Sequence, residues 1–193
     1  EKPLCLNTNQ LKKLNDIAKK KRLFIFENMM YLYSSQFNIF KKLLNKKKTK
    51  EIEINFSIPD FSKKSFRNGN KLESSLLYDM GCYPFSLLSY FGFNSKNYKV
   101  FYKSKNKKIN LIKILFNLKN IKFKITVAIF KAYENYVKVR FTDNSYYQMN
   151  HFFYGKKKNK INYFYELNKK VKIIKINEEN IFKSIFNYSN QKL

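Results

Sequence analysis

The chain has 193 residues, of which 44% are hydrophobic and 18% aromatic, so it can form a packed core and is not a disordered chain. Its formal net charge of +27 suggests a nucleic-acid partner, but 37 of its 40 basic residues are Lys, whereas Arg is the residue that best grips phosphate and base edges. The Lys residues are spread along the sequence, and Asn, Ile, Phe and Tyr are also abundant. This composition indicates an AT-rich genome and predicts no specific nucleic-acid surface.

The sequence also lacks the signals of a membrane or secreted protein. Its longest nearly apolar stretch, at 85–93, has about nine residues, whereas a membrane-spanning helix needs about 20. No basic-then-apolar signal sequence opens the chain, and two cysteines, Cys5 and Cys82, make no disulfide framework. We therefore expect a cytoplasmic protein with no membrane partner. The first residue is not Met, so we also expect an internal fragment or a processed product.

The N-terminal part of the sequence alternates helical and apolar segments. Asn7 or Thr8 can cap a first helix, whose last turn is basic, as the helix dipole favours. The nearly continuous apolar run at 23–29 predicts a short buried strand. Ser34 or Ser35 can cap a second amphipathic helix.

Two further elements are predicted before the C-terminal half. Apolar and polar residues alternate from 52 to 58, which predicts a half-buried strand that Pro59 ends. From 72 to 91 the apolar residues return to helical spacing, interrupted by Gly81 and Pro84.

Beyond Gly92 the hydrophobic period changes to two, which predicts a run of β-strands. Lys119 and Asn120 predict a tight hairpin within this run, and Asn177 is predicted to cap a final helix. The predicted strands cover residues 109–118, 121–130, 136–141, 146–149, 161–166 and 171–176. Helices followed by strands predict an α+β fold, an open, mainly antiparallel sheet of about six strands with helices on one face.

Motifs for phosphate or metal binding are missing from the sequence. The four glycines are too far apart for a dinucleotide loop or a P-loop, and His151 is the single histidine, so no metal-ligand spacing occurs. Two short segments remain as candidates, Glu1-Lys2-Pro3 and the segment 77–84. Asp79 and Tyr83, four residues apart, lie on one helix face, although spacing alone also fits a polar notch in a packed helix.

Together with the segments between them, these two segments resemble the C-terminal part of the Gfo/Idh/MocA oxidoreductases, the family of glucose–fructose oxidoreductase and inositol dehydrogenase. The nearest branch is that of dimeric dihydrodiol dehydrogenase. The resemblance rests on Phe66-Arg67 and on four longer segments: EKPLCLNTNQLKKLNDIAKKKR, LFIFENMMYLYSSQF, LLYDMGCYPFSLLSYFG and VAIFKAYENYVKVRFTDNSYYQM.

The resemblance implies a domain organisation and an activity. Residues 1–22 would end a nucleotide-binding domain and form a linking helix, and residues 23–193 would form a substrate-binding and dimerisation domain like the C-terminal domain of glyceraldehyde-3-phosphate dehydrogenase. The family transfers hydride between NAD or NADP and a hydroxyl-bearing carbon of a sugar, polyol or cyclic diol. The cofactor would be bound mainly by a Rossmann domain upstream of this chain, and the sheet face would form a homo-oligomer.

The resemblance also implies roles for individual residues. Lys2, Asp79 and Tyr83 would be catalytic: Lys2 as a cation beside the reacting oxygen, Tyr83 as the acid/base, and Asp79 as the group that orients Lys2 or the substrate hydroxyl. Arg67 would contact the substrate.

Glu1, Lys2 and Pro3 would contact the cofactor, and the bond between Lys2 and Pro3 is often cis in the family.

One alternative stays open at the level of the sequence. The family usually has glycines where Glu73, Ser74 and Ser75 stand, and an Arg and a His-Pro pair where Leu32 and the following serines stand. These departures favour a truncated, non-catalytic relative that acts as an interaction or oligomerisation module.

Overall fold

A computed structural model describes residues 2–46, 48–59, 65, 67, 71–92, 97–129, 131–153, 160–165, 170–176 and 180–190. Its helices are α1 (Thr8–Lys21), α2 (Ser35–Lys46), α3 (Cys82–Tyr90) and α4 (Ile181–Asn190). Its strands are β1 (Thr49–Ile58), β2 (Tyr98–Lys105), β3 (Lys108–Leu118), β4 (Ile121–Ile129), β5 (Glu134–Phe141), β6 (Tyr146–Asn150), β7 (Lys160–Tyr165) and β8 (Lys170–Lys175). None of the helices in these ranges is long and apolar enough to cross a membrane.

All eight strands form one sheet in the order β2-β3-β4-β1-β5-β6-β7-β8. Every neighbouring pair is antiparallel except β1 and β4, which run parallel. The strand β1 thus lies between two antiparallel meanders. The predicted fold class, an open and mainly antiparallel sheet in an α+β domain, is confirmed.

The sheet has eight strands and not about six, because the strand predicted at 52–58 joins the six predicted C-terminal strands and because the sequence does not reveal β2. All residues of β2 are exposed, so its sequence has no alternation of buried apolar and exposed polar residues that would predict a strand. Backbone pairing with β3 holds this edge strand in place. The predicted hairpin between β3 and β4 is present. Lys119 and Asn120 both adopt positive φ, 48° and 65°, as a two-residue hairpin turn requires.

The apolar run at 23–29 is not the buried strand that the sequence predicts. It has no regular secondary structure and pairs with no strand in the described part of the chain, and it leads into a 3₁₀ turn at Met30–Tyr33. Its apolar side chains find other partners, because the ring of Phe26 packs on Tyr33 at 5.8 Å and on Tyr188 of α4 at 6.2 Å. This run has the composition of a strand, but its side chains pack against aromatic rings and its backbone does not pair with any of the described strands.

Side-chain caps fix where three helices begin. The Asn7 carboxamide oxygen accepts the Gln10 N–H at 2.9 Å before α1, and the Ser34 hydroxyl accepts the Phe37 N–H at 3.1 Å before α2, which settles the predicted alternatives. At α4 the cap is Asn180, whose side-chain oxygen accepts the Lys183 N–H at 3.2 Å. The predicted cap Asn177 lies outside the described residues.

The core lies between one face of the sheet and the helices. Side chains that are almost fully buried meet there from both layers: Tyr31, Phe40, Leu87 and Leu88 from the helical layer, and Ile52, Ile54, Phe123, Ile125, Val137 and Val139 from the sheet. In β1 these residues alternate with Glu51, Glu53 and Asn55, which project to the opposite face.

Around β1, that opposite face is polar. Lys124 Nζ lies 2.8 Å from a Glu51 carboxylate oxygen, and Arg140 Nε lies 3.5 Å from the other oxygen. The Tyr136 hydroxyl donates to the Glu53 carboxylate at 2.6 Å. Because β1, β4, β5 and β6 alternate, one face takes the apolar residues and the other takes the charges.

The burial contrast within the sheet gives a stability prediction. Ile54 in β1 is 0% exposed, whereas Ile173 in β8 is 54% exposed. Ile54→Ala should lower the free energy of unfolding by about 2–5 kcal/mol because it leaves a cavity in the core. Ile173→Ala should change it by less than about 1 kcal/mol. Urea unfolding measures both, and equal losses would contradict the assigned core.

Candidate active site

Two basic side chains, Lys2 and Arg67, meet at the carboxylate of Asp79. Asp79, only 7% exposed, lies in a π-helical turn at Leu77–Gly81 that leads directly into α3. Lys2 Nζ lies 3.1 Å from Asp79 Oδ1, and Arg67 Nε lies 2.5 Å from Asp79 Oδ2. Lys2 Nζ also donates to the backbone carbonyl of Asp79. We call Lys2, Arg67 and Asp79 the charged triad.

The π-helical turn presents Asp79 to the two cations. Its wider ring shifts the side chains relative to a regular α-helix, a feature found often at functional sites. Gly81 permits the packing of this turn, since a Cβ atom there would lie 3.2 Å from the Phe85 ring and 3.3 Å from Leu77 Cδ1. The Asp79 N–H donates to the Ser75 carbonyl at 2.9 Å, which anchors the start of the turn.

Two hydrogen bonds hold the N-terminal segment beside this turn. The Leu4 N–H donates to Glu27 Oε1 at 2.8 Å, and the Tyr78 hydroxyl donates to the Leu6 carbonyl at 2.7 Å. The Lys2–Pro3 peptide bond is cis, as the resemblance implies. Glu27 and Tyr78 are not among the site residues that the sequence predicts. The available signals were a single acid within an apolar run and a tyrosine next to Asp79.

The face of the Tyr83 ring contacts the ammonium group of Lys2. Lys2 Nζ lies 4.7 Å from the Tyr83 ring centroid, a cation–π contact. The same ring packs against Phe56 of β1 at 5.5 Å and against Phe153 at 5.8 Å, so the sheet supports it from below. Glu1, predicted to contact the cofactor, lies outside the described residues.

The structure therefore brings Lys2, Asp79 and Tyr83 together. It also places Arg67, predicted only as a substrate contact, on the carboxylate of Asp79. Within the charged triad, two cations surround one anion, so one positive charge is in excess. A partly buried cation of this kind stabilises negative charge that develops on a nearby oxygen.

The neighbouring thiol does not cancel this excess charge. Burial raises the pKa of Cys82 to about 11, although the charge of Lys2 opposes the shift. The thiol therefore stays neutral near pH 7. Cys82 Sγ instead donates to the Asp79 carbonyl at 3.6 Å.

The described residues hold neither a phosphate cradle nor a metal cluster. No glycine-rich turn leads into a helix among the described elements, so the pyrophosphate of a dinucleotide has no binding loop there. In the same ranges, no three His, Cys, Asp or Glu side chains are close enough together to hold a metal ion.

Comparison with known proteins identifies the fold. No protein-family model matches the sequence, and no curated protein matches it. KijD10, a 3-ketoreductase from Actinomadura kijaniata solved with NADP and TDP-benzene, superposes with a TM-score of 0.82 at 18% identity, covering 97% of this chain and 60% of its own. The UDP-N-acetylglucosamine 3-dehydrogenase GnnA from Acidithiobacillus ferrooxidans superposes with a TM-score of 0.72 at 11% identity, covering 97% of this chain and 59% of its own.

The chain thus spans about 60% of the length of the structures that it matches. Both are sugar oxidoreductases of the Gfo/Idh/MocA type. The resemblance predicted from the sequence is confirmed as a shared fold, that of a glyceraldehyde-3-phosphate dehydrogenase-like C-terminal domain.

The raised pKa of Cys82 predicts slow alkylation of this thiol. The thiolate is the reactive form, so a pKa near 11 depletes it at pH 8. In a Cys5→Ser variant, iodoacetamide should modify folded Cys82 at least about 100-fold more slowly at pH 8 than it modifies the same variant unfolded in urea, where a thiol pKa is about 8.5. The folded rate should still rise as the pH approaches 11. Mass spectrometry measures both rates, and equal rates would contradict the buried neutral thiol.

Proposed function

We propose that this chain is the substrate-binding part of an NAD(P)-dependent oxidoreductase of the Gfo/Idh/MocA family. The reaction would transfer hydride to or from a hydroxyl-bearing carbon of a sugar or related polyol. The observation that carries the proposal is that Lys2 and Asp79, 77 positions apart in the sequence, lie within 3.1 Å of each other beside the Tyr83 ring. The names of the compared proteins, a 3-ketoreductase and a 3-dehydrogenase, support this reaction class.

Lys2 would stabilise the charge on the reacting oxygen. An ammonium group has three N–H donors, and the contacts of Lys2 with the carboxylate and the carbonyl of Asp79 use two of them. The third donor is left for the substrate oxygen. Because Asp79 is buried and also bound by Arg67, it fixes the direction of the remaining donor.

Tyr83 would move the hydroxyl proton. When the substrate is oxidised, the proton of its hydroxyl passes to the Tyr83 oxygen, and it returns from there when the carbonyl is reduced. The cation–π contact with the ammonium group of Lys2 keeps the ring beside the proposed reaction centre. The rings of Phe56 and Phe153 hold the tyrosine in place.

The nicotinamide cofactor supplies or accepts the hydride when it is bound. The described residues fit only one end of it. Pro3 and the ring of Tyr83 would offer apolar surface to the nicotinamide, with the Lys2 ammonium directed at the substrate oxygen, whereas the pyrophosphate would need a glycine loop from an upstream domain. Glu1 would join this contact.

The surface of α1 supports such an upstream domain. Leu11, Leu14 and Ile17 are apolar yet exposed, and Leu23 and Phe24 just after α1 are exposed as well. A cluster of large apolar side chains on one helix is normally covered by another domain. We assign residues 1–22 to the end of the nucleotide-binding domain with its linking helix, and residues 23–193 to the substrate-binding domain.

We also propose a homo-oligomer through the open face of the sheet, in a cytoplasmic protein from an AT-rich genome. On this face Glu51 and Glu53 lie among Lys124, Lys138 and Arg140, so acids and bases are mixed as a self-complementary interface requires. Both cysteines are free thiols, which agrees with a reducing compartment. The surplus of Lys over Arg supports the genomic interpretation.

Steady-state kinetics of the full-length gene product that contains this chain test the proposed chemistry. Tyr83→Phe should lower turnover of a sugar substrate with NAD(P) by about 10²- to 10⁴-fold, the usual contribution of acid–base catalysis. Cofactor affinity should change little, because most cofactor contacts would lie upstream. Tyr136→Phe is the matched control, since this tyrosine donates to Glu53 on the other face of the sheet. Unchanged turnover in Tyr83→Phe would contradict the proposed role of Tyr83, and absent turnover in the unmodified full-length protein would favour a non-catalytic oligomerisation module.

A further inference from the structure

Negative charge is missing from one end of the sheet. Residues 80–133 contain 11 Lys and neither Asp nor Glu, so all 13 acids lie in the other 139 residues. This acid-free stretch forms α3 and the strands β2, β3 and β4, and β2 is an edge strand of the sheet. A genomic preference for Lys over Arg does not remove acids, so composition alone does not account for the excess of positive charge at this end.

An exposed phenylalanine lies among three lysines on the open face of this end. Phe101 of β2 pairs directly with Lys113 of β3, so both side chains project from the same face. The residues on either side of Lys113 belong to the core, so this face is the one opposite the helices. Lys99 and Lys103 lie on the same face two residues before and after Phe101, each about 7 Å along the strand. We call these four residues the basic–aromatic cluster.

The basic–aromatic cluster is open to solvent, and its charge is not compensated within the described part of the chain. Every residue of β2 is exposed, and Phe101 itself is 52% exposed. No ion pair among the described residues involves a lysine of the cluster, whereas Lys124 in the next strand lies 2.8 Å from Glu51. The cluster therefore offers a ligand both a stacking surface and positive charge.

The alternation of cations with an aromatic ring fits single-stranded nucleic acid. Such a chain presents a phosphate and an unpaired base at every nucleotide, and its phosphates bind Lys while its bases stack on aromatic rings whatever the sequence. Arg serves to read base edges, so its scarcity argues against sequence-specific recognition but not against this kind of binding. A second copy of this chain would bring the same net charge of +27 to the surface, so charge repulsion disfavours it as the occupant.

We propose that the basic–aromatic cluster binds single-stranded nucleic acid without sequence preference. A base stacks on the Phe101 ring, and the flanking phosphates contact the three lysines. The surface is separate from the proposed reaction centre, because Tyr83 packs on the helix-facing side of the sheet. It also lies beyond the mixed-charge area of β1, β4 and β5 that is proposed to form the oligomer.

Fluorescence anisotropy of the full-length protein with a labelled 12-nucleotide oligothymidylate tests the proposal. We expect binding that weakens as salt is raised, and Lys113→Gln should reduce the slope of log K against log salt by about 0.7, because one phosphate contact is lost. Phe101→Leu keeps an apolar side chain but removes the ring, so it should weaken binding at least about 5-fold. Lys172→Gln is the matched control, since Lys172 is an exposed strand lysine in β8 at the opposite edge of the sheet.

Two further ligands separate stacking from attraction to charge alone. A 12-base-pair duplex has the higher charge density but keeps its bases stacked inside, so it should bind more weakly than the single strand. Tighter binding of the duplex, unchanged binding in Phe101→Leu, or an equal loss in Lys172→Gln would overturn the inference. Binding of polyglutamate that is as tight as that of the oligonucleotide and equally dependent on Lys113 would assign the surface to an acidic protein partner instead, and would also overturn it.

Discussion

The buried carboxylate of Asp79 is the group on which the candidate site depends. Burying a charge is unfavourable unless opposite charges and hydrogen bonds compensate for it, and here Lys2 and Arg67 provide that compensation. Arg67 precedes Asp79 by 12 residues, whereas Lys2 is 77 residues away, so the N-terminal segment must pack against the π-helical turn for the charge of Asp79 to be compensated. Without the carboxylate, two cations would face each other without compensation. The position of Lys2 over the Tyr83 ring therefore follows from the charge of Asp79.

The sheet makes this arrangement rigid. Tyr83 packs on Phe56 of β1 and on Phe153, and β1 lies at the centre of the sheet, paired on both sides. The core side chains beneath it are almost fully buried and closely packed, so the ring has little room to shift. Glu27 and Tyr78 fix the other half of the site by holding the backbone of the N-terminal segment. The ring of Tyr83 thus rests on a helix and a strand, and hydrogen bonds hold the N-terminal segment that brings Lys2 to it.

Local sequence patterns predicted the helix caps and the hairpin turn, but they did not predict contacts between segments that are distant in the sequence. The caps at Asn7 and Ser34 and the turn at Lys119 follow from short-range hydrogen bonding and positive φ, which the residue types encode. The run at 23–29 was predicted as a strand because its composition is strand-like, but aromatic packing against α4 determines its structure. The pairing of Arg67 with Asp79 carries no spacing signal at all. The proximity of Lys2 to Asp79 came only from the resemblance, and the π-helical turn depends on packing that no periodicity reports.

The central claim is that Asp79 acts by holding Lys2 in place, and a double-mutant cycle on kcat/KM of the full-length protein tests it most directly. The single variants are Lys2→Met and Asp79→Asn, compared with the double variant at matched far-UV circular dichroism. If the two residues work as one unit, the double variant loses about as much activity as Lys2→Met alone, which gives a coupling free energy of about 1–3 kcal/mol. Losses that simply add, with a coupling near zero, would show that Asp79 and Lys2 act independently and would contradict this account.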